Sequence, residues 1–123
     1  MATVDIDFAS FKETVNSPGI VLIDFWAEWC GPCRQFGPIF EAASESNKDI
    51  VFAKVDTEAH SDLAGALKIS SIPTLMIFRD GILLWNKAGA VPAPTLDEII
   101  QAIRSADMDD IRAQIAASQE KND

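Results

Sequence analysis

Seven consecutive residues, Ile20-Val21-Leu22-Ile23-Asp24-Phe25-Trp26, carry one charge and no turn former. A surface strand would alternate apolar and polar residues; a continuous apolar run suits a strand covered on both faces. The chain must therefore supply a layer of structure on each side of a sheet. Shortly after this run come the only two cysteines of the 123-residue chain, in Trp29-Cys30-Gly31-Pro32-Cys33. Phe36, Ile39, Phe40 and Ala43 then recur at helical spacing. The cysteines thus fall in a turn between a buried strand and a helix N-terminus. Unpaired backbone N–H groups and the positive end of the helix dipole favour a thiolate there. Pro32 suits the first helical turn, where its missing N–H costs nothing. Gly31 lets the backbone turn sharply and leaves the sulfur unshielded.

Other readings of the pair are weaker. A purely structural bridge this short closes a tiny loop and gains little chain entropy. Half of a zinc site would need four ligands, and His60 is the only other soft candidate. Two inert buried thiols would not sit beside Trp29 and Gly31 in an exposed turn.

The length is that of one domain able to bury a core. Hydrophobic residues make up 48% and charged ones 24%, which excludes a disordered chain. The formal net charge of −9 argues against nucleic acid and anionic membrane partners, and is read here as a solubility feature. Met1 to Asp7 has neither a basic region nor an apolar core, so no signal peptide is expected. No apolar run is long enough to cross a bilayer. A Cys-X-X-Cys pair in such an intracellular protein reads as redox-active rather than as a staple. A mature exported protein would look the same.

In chain order, a short strand is expected near Val4. Asp7 caps a first helix with Phe8, Phe11 and Val15 on one face, stopped at Asn16-Ser17-Pro18-Gly19. The helix after the cysteines runs to about Asn47, with Pro38 expected to kink it. Ile50 to Val55 is a second buried strand, and Ser61 is a candidate cap for a short helix with Leu63, Ala64 and Leu67. Thr74 to Phe78 is a third strand. Asp80-Gly81 signals a hairpin to Ile82–Trp85. Gly89 to Pro94 reads as a rigid loop. Thr95 and Glu98 form a capping box for a helix with Leu96, Ile99, Ile100 and Ile103 on one face. Met108, Ile111 and Ile115 extend a further helix, with Gln119 to Asp123 frayed. The fold class is α/β: a mixed sheet with helices on both faces and a C-terminal helical extension.

Asp24 is a carboxylate inside the most apolar stretch. If buried, it is costly to ionise, its pKa rises, and it can serve as a base for one of the thiols. If the strand alternates the other way, it faces solvent. Lys54, on the neighbouring strand, either pairs with it or lies at the sheet edge. Pro73 precedes a strand. On the residues alone its peptide bond is trans, since only about 5–6% of X–Pro bonds in folded proteins are cis.

Taken together, Asp24-Phe25-Trp26-Ala27-Glu28-Trp29-Cys30-Gly31-Pro32-Cys33 resembles the active-site segment of the thioredoxin family, bacterial type. Phe52 to Asp56, Ile72-Pro73-Thr74-Leu75, Asp80-Gly81 and Gly89-Ala90 match its later landmarks, in order, over residues 5 to 105. The resemblance implies a thioredoxin fold over residues 1–106 and an acidic, partly helical extension over residues 107–123. It implies a protein-disulfide reductase that maintains cell redox homeostasis. Cys30 would be the exposed attacking thiolate, Cys33 the shielded resolving thiol, and Asp24, tuned by Lys54, the buried group that moves protons to and from Cys33. Gly31 and Pro32 would form the redox turn. Trp29, Ile72, Pro73, Gly89 and Ala90 would form the rim that docks partners, with Pro73 cis. No bound cofactor or metal is implied; electrons would come from NADPH through thioredoxin reductase. The partners would be disulfide-containing proteins and that reductase, and the protein a cytoplasmic monomer.

Two readings compete. A disulfide oxidant or isomerase would run the same chemistry in the other direction, but oxidants of this fold tend to carry histidine between the cysteines. A subunit or processivity clamp would use the surface and not the thiols.

Overall fold

The computed structural model describes residues 2–122. Its elements are β1 (Thr3–Asp5), α1 (Phe8–Val15), β2 (Ile20–Trp26), α2 (Gly31–Ser46), β3 (Val51–Asp56), α3 (Ser61–Ala66), β4 (Thr74–Arg79), β5 (Ile82–Ala88), α4 (Ala93–Arg104) and α5 (Met108–Asn122). The sheet has the strand order β1-β3-β2-β4-β5. β1, β3 and β2 run parallel, while β4 is antiparallel to β2 and β5 to β4. β2 is therefore central, as its apolar run, broken only by Asp24, leads one to expect.

Successive residues of a strand point to opposite faces, so β2 serves two cores. Ile20 and Leu22 pack with Phe36, Phe40 and Ala43 of α2, Phe52 of β3 and Leu96, Ile99, Ile100 and Ile103 of α4. Val21, Ile23 and Phe25 pack on the other face with Val15, Ala53, Val55 and Leu63. Phe40 meets Phe52 edge-on at 5.1 Å between centroids. Each such buried phenylalanine stabilises by roughly 2–3 kcal/mol.

Local signals act largely as expected. Asp7 accepts from the Ser10 N–H at 2.9 Å, and the Ser10 hydroxyl accepts from the Asp7 N–H, closing a capping box on α1. Asp80 and Gly81 both take positive φ, 52° and 82°, as a two-residue hairpin turn demands. Pro38 lies inside α2 and leaves the Arg34 carbonyl without its helical donor.

Four details differ from the sequence reading. α4 starts at Ala93 with Pro92 in the capping position and no side-chain cap, so Thr95 and Glu98 form no capping box. Proline fixes a helix-compatible φ, and Pro92-Ala93-Pro94 starts the helix before Thr95 is reached. Ser61 is already helical, and His60 occupies the cap without a side-chain bond. β5 continues past Trp85 to Ala88, because β4 offers pairing as far as Thr74. Finally, Gln119 to Asn122 are helical in the backbone; Asp123 lies outside the described residues.

Arg79 ends β4 and braces α4. Its Nη1 lies 2.9, 3.3 and 3.1 Å from the carbonyl oxygens of Ile103, Arg104 and Ala106. A guanidinium there satisfies carbonyls that a helix end leaves open and complements its negative pole. Arg79→Met keeps the stem and removes the donors. It is expected to lower unfolding free energy by roughly 1.5–3 kcal/mol in urea titrations. A loss below about 0.5 kcal/mol would mean that water serves those carbonyls equally well. α5 docks nearby: Met108 is buried, and Arg112 reaches Asp80 of the hairpin at 3.4 Å. Among the described residues no helix is long and apolar enough to cross a membrane.

Candidate active site

The two cysteines sit where β2 hands over to α2. Cys30 is the capping residue of α2 and Cys33 lies in its first turn, and they are joined as a disulfide with Cα atoms 5.2 Å apart. The Cys33 backbone N–H donates to Cys30 Sγ at 3.3 Å. In the dithiol state that N–H, with the helix dipole behind it, favours negative charge on Cys30. Pro32 lies in the first helical turn, and nothing within 4 Å faces the open side of Gly31.

In the disulfide state Cys30 is not the exposed member of the pair: the two residues are 4% and 5% accessible. Ala27 and Cys33 pack against Cys30 together with Ile72, whose carbonyl oxygen lies 3.6 Å from Cys30 Sγ. The asymmetry between the cysteines is one of hydrogen bonding and helix position.

Ile72–Pro73 is a cis peptide bond, as the family resemblance implies and against the trans reading of the residues alone. The Pro73 carbonyl accepts from the Gly89 N–H at 2.8 Å. This bond draws Gly89 (φ 112°) and, next to it, the exposed Ala90 to the segment that covers the disulfide. Trp29 lies beside Cys30 and is 67% exposed. Its indole N–H donates to Glu58 Oε1 at 2.5 Å, and Asp56 Oδ1 accepts from the Glu58 N–H. Nothing in the sequence singled out Glu58, because its role depends on a loop lying across from Trp29. Arg34 was also missed; its Nε donates to the Glu28 carbonyl oxygen at 2.9 Å.

Alternation along β2 places Asp24 on the same face as Leu22, beneath α2. The residue is 1% accessible, and neither carboxylate oxygen has a hydrogen-bond partner among the described residues. Burial pushes its pKa up to about 7, against the opposing pull of Lys54. Lys54 stands opposite Asp24 in the β2–β3 register. Its ammonium, however, lies over the Trp26 ring, 5.1 Å from the centroid, so it is neither a direct partner of Asp24 nor at the sheet edge. An open cleft of about 290 Å³ runs along this side, with Trp26, Ala27, Cys33, Gly37, Glu41 and Lys54 in its walls. Among the described residues no three His, Cys, Asp or Glu side chains gather as a metal site would need.

This arrangement offers a disulfide at the N-terminus of α2, and on the strand face beneath that helix a buried carboxyl whose pKa is pushed up to about 7. Comparison with known proteins gives a consistent answer. A family model described as Thioredoxin matches residues 2–104. The chain is 51% identical over 118 residues to "Putative thioredoxin 2" of Streptomyces coelicolor, covering 96% of this chain and 88% of that one. It is 42% identical to the thioredoxin of Coprinus comatus over 103 residues, 82% of this chain and 96% of that one. Among solved structures, Malassezia sympodialis thioredoxin superposes with a TM-score of 0.72 at 34% identity, covering 82% of this chain and 90% of that one. Plasmodium falciparum thioredoxin gives 0.73 at 30% identity, covering 85% and 99%.

Proposed function

This chain belongs to the thioredoxin family, whose members are disulfide oxidoreductases, and from that premise we propose how its residues divide the work of reducing protein disulfides. Cys30 thiolate attacks one sulfur of a target disulfide. The target S–S bond breaks, its second sulfur leaves as a thiolate, and a mixed disulfide forms. Cys33 then gives its proton to the Asp24 carboxylate and attacks Cys30 Sγ. The second target thiolate is released, and the protein is left as the Cys30–Cys33 disulfide. The target has gained two electrons, and its thiolates take up two protons. A carboxyl with pKa about 7 is part ionised at neutral pH and so accepts and returns that proton readily. Lys54 tempers the rise in Asp24 by its charge alone.

The observation that carries this reading is the Cys33 N–H directed at Cys30 Sγ. It stabilises charge on Cys30 and on no other sulfur. Gly31 and Pro32 shape the turn. Trp29, Ile72, Pro73, Gly89 and Ala90 form the docking rim, where the backbone around Pro73 is within reach of a target strand. The protein is read as a cytoplasmic monomer, reduced in turn by a flavin-dependent thioredoxin reductase drawing on NADPH. It requires no bound cofactor, and its net charge of −9 disfavours nucleic acid and anionic membranes. Residues 1–106 form the thioredoxin domain and residues 107–123 an acidic extension docked on it through α5.

Dithiothreitol-driven reduction of a disulfide-bonded protein such as insulin tests the reading. The wild-type chain accelerates it at catalytic concentration, and Cys30→Ser abolishes the acceleration. A Cys30–Cys33 reduction potential near roughly −270 mV, the value known for thioredoxins, fits a reductase; one near roughly −120 mV makes the protein an oxidant.

A further inference from the structure

The proton that Asp24 takes from Cys33 must leave again before the next cycle, and a carboxyl 1% accessible has few ways to release it. On β4 its register neighbour is Leu75, which carries no proton-bearing group. On β3 the neighbour is Lys54. From the α2 side, the charged or titratable groups bordering the cleft are Arg34, Glu41 and Cys33, and Glu28 borders it from the preceding turn. Lys54, the β3 neighbour of Asp24, borders the cleft, while Asp24 itself lies behind that wall. The cleft's volume of about 290 Å³ far exceeds the ~10–15 Å³ that admits one water. Trp26, which forms part of its wall, presents a buried indole N–H without a partner among the described residues. Both Asp24 oxygens are likewise unpartnered among the described residues, and the Lys54 ammonium stands over the Trp26 ring.

Gly37 is the unexpected residue in this wall. It lies in the interior of α2, where glycine is the poorest ordinary helix former. It has no positive φ that would require glycine. A Cβ built on it would meet nothing within 4 Å. We propose that Gly37 is a positioning residue for the second chemical step, holding open the cleft through which the Asp24–Cys33 pair exchanges its proton with solvent. The inference rests on Asp24 as the proton acceptor for Cys33. Gly37 also precedes Pro38, where a Cβ is disfavoured in helical backbone. Alanine carries that cost without filling the cleft, so the two roles separate.

The test is stopped-flow reaction of the reduced protein with an aromatic disulfide that releases a coloured thiolate. The first release reports Cys30 attack and the second reports resolution by Cys33. Across pH, Gly37→Leu is expected to slow resolution about tenfold and move its midpoint upward, while the first release slows less than twofold. Gly37→Ala should recover most of that tenfold. Gly37→Met repeats the test with a flexible side chain if the leucine variant folds poorly. Equal slowing in the alanine and leucine variants would assign the effect to the backbone before Pro38 and overturn the proposal. Wild-type resolution with an unmoved midpoint in both Gly37→Leu and Gly37→Met would also overturn it. In that case slow resolution by Asp24→Asn leaves the proton-acceptor reading standing. If Asp24→Asn resolves as fast as wild type, that reading falls and this inference falls with it.

Discussion

Asp24→Asn is expected to raise the unfolding free energy of the disulfide form by roughly 4 kcal/mol at about pH 8.5, and by less than about 1 kcal/mol at about pH 4. The sign follows from the direction of the shift. The folded-state pKa is about 7, above the ordinary 3.8, so the native protein holds this proton more tightly than the unfolded chain does. Below the unfolded value the carboxyl is neutral in both states and burial carries no charge penalty. Between the two values stability falls as pH rises, and above pH 7 the whole penalty is present. Just over three pK units at 1.36 kcal/mol each give the estimate of about 4 kcal/mol. Asparagine has the size of the neutral acid and never ionises, so the variant's advantage grows with pH. Urea titrations at the two pH values provide the check. A gain that is the same at both would mean that Asp24 is not an uncompensated buried charge. The same substitution should slow turnover, because it removes the acceptor for the Cys33 proton.

Cys33→Ser should convert a catalyst into a stoichiometric trap. Cys30 can still attack a target disulfide, but no second sulfur stands within reach to displace the target. Mixed disulfide accumulates, and turnover falls to the uncatalysed level. Intact-mass spectrometry should find one target molecule attached per chain, at Cys30, and Cys30→Ser should give no adduct. The result is not a foregone one, since accessibility does not distinguish the cysteines at 4% and 5%. The distinction rests on the helix-capping position of Cys30 and the N–H it accepts. Adducts that form through Cys33 in the Cys30→Ser protein, and none in the other variant, would reverse the assignment.

Much of this was legible in the sequence, for reasons of physical strength. A nearly continuous apolar run asks for cover on both faces, so the carboxyl within it was a candidate for burial in spite of the cost of ionising it, and the structure buries it. Asp80-Gly81 reads correctly because positive φ at two successive positions is a demand few residue pairs meet. The features that stayed hidden are those where local preferences are weak or geometry is long-range. Cis and trans Ile72–Pro73 differ locally by only about 0.5–1 kcal/mol, which surrounding packing easily outweighs. The Thr95 cap lost to two prolines that start the helix earlier. The position of Lys54 over Trp26 could not be read before the β2–β3 register was known. Glu58 is 29 residues from the indole it holds and carries no local signature.

The alternation of β2 has a consequence for how this chain can change over evolutionary time. One strand of seven residues supplies both cores and also carries the buried carboxyl on the face that packs against α2. Individual positions can drift among Val, Ile and Leu with modest loss. Inserting or deleting a single residue between Ile20 and Asp24 is a different event. It exchanges the two faces of the strand relative to its neighbours, so that Asp24 would turn toward α1 and α3 and away from Cys33. The length of this strand is therefore expected to tolerate change less well than the identity of its apolar residues.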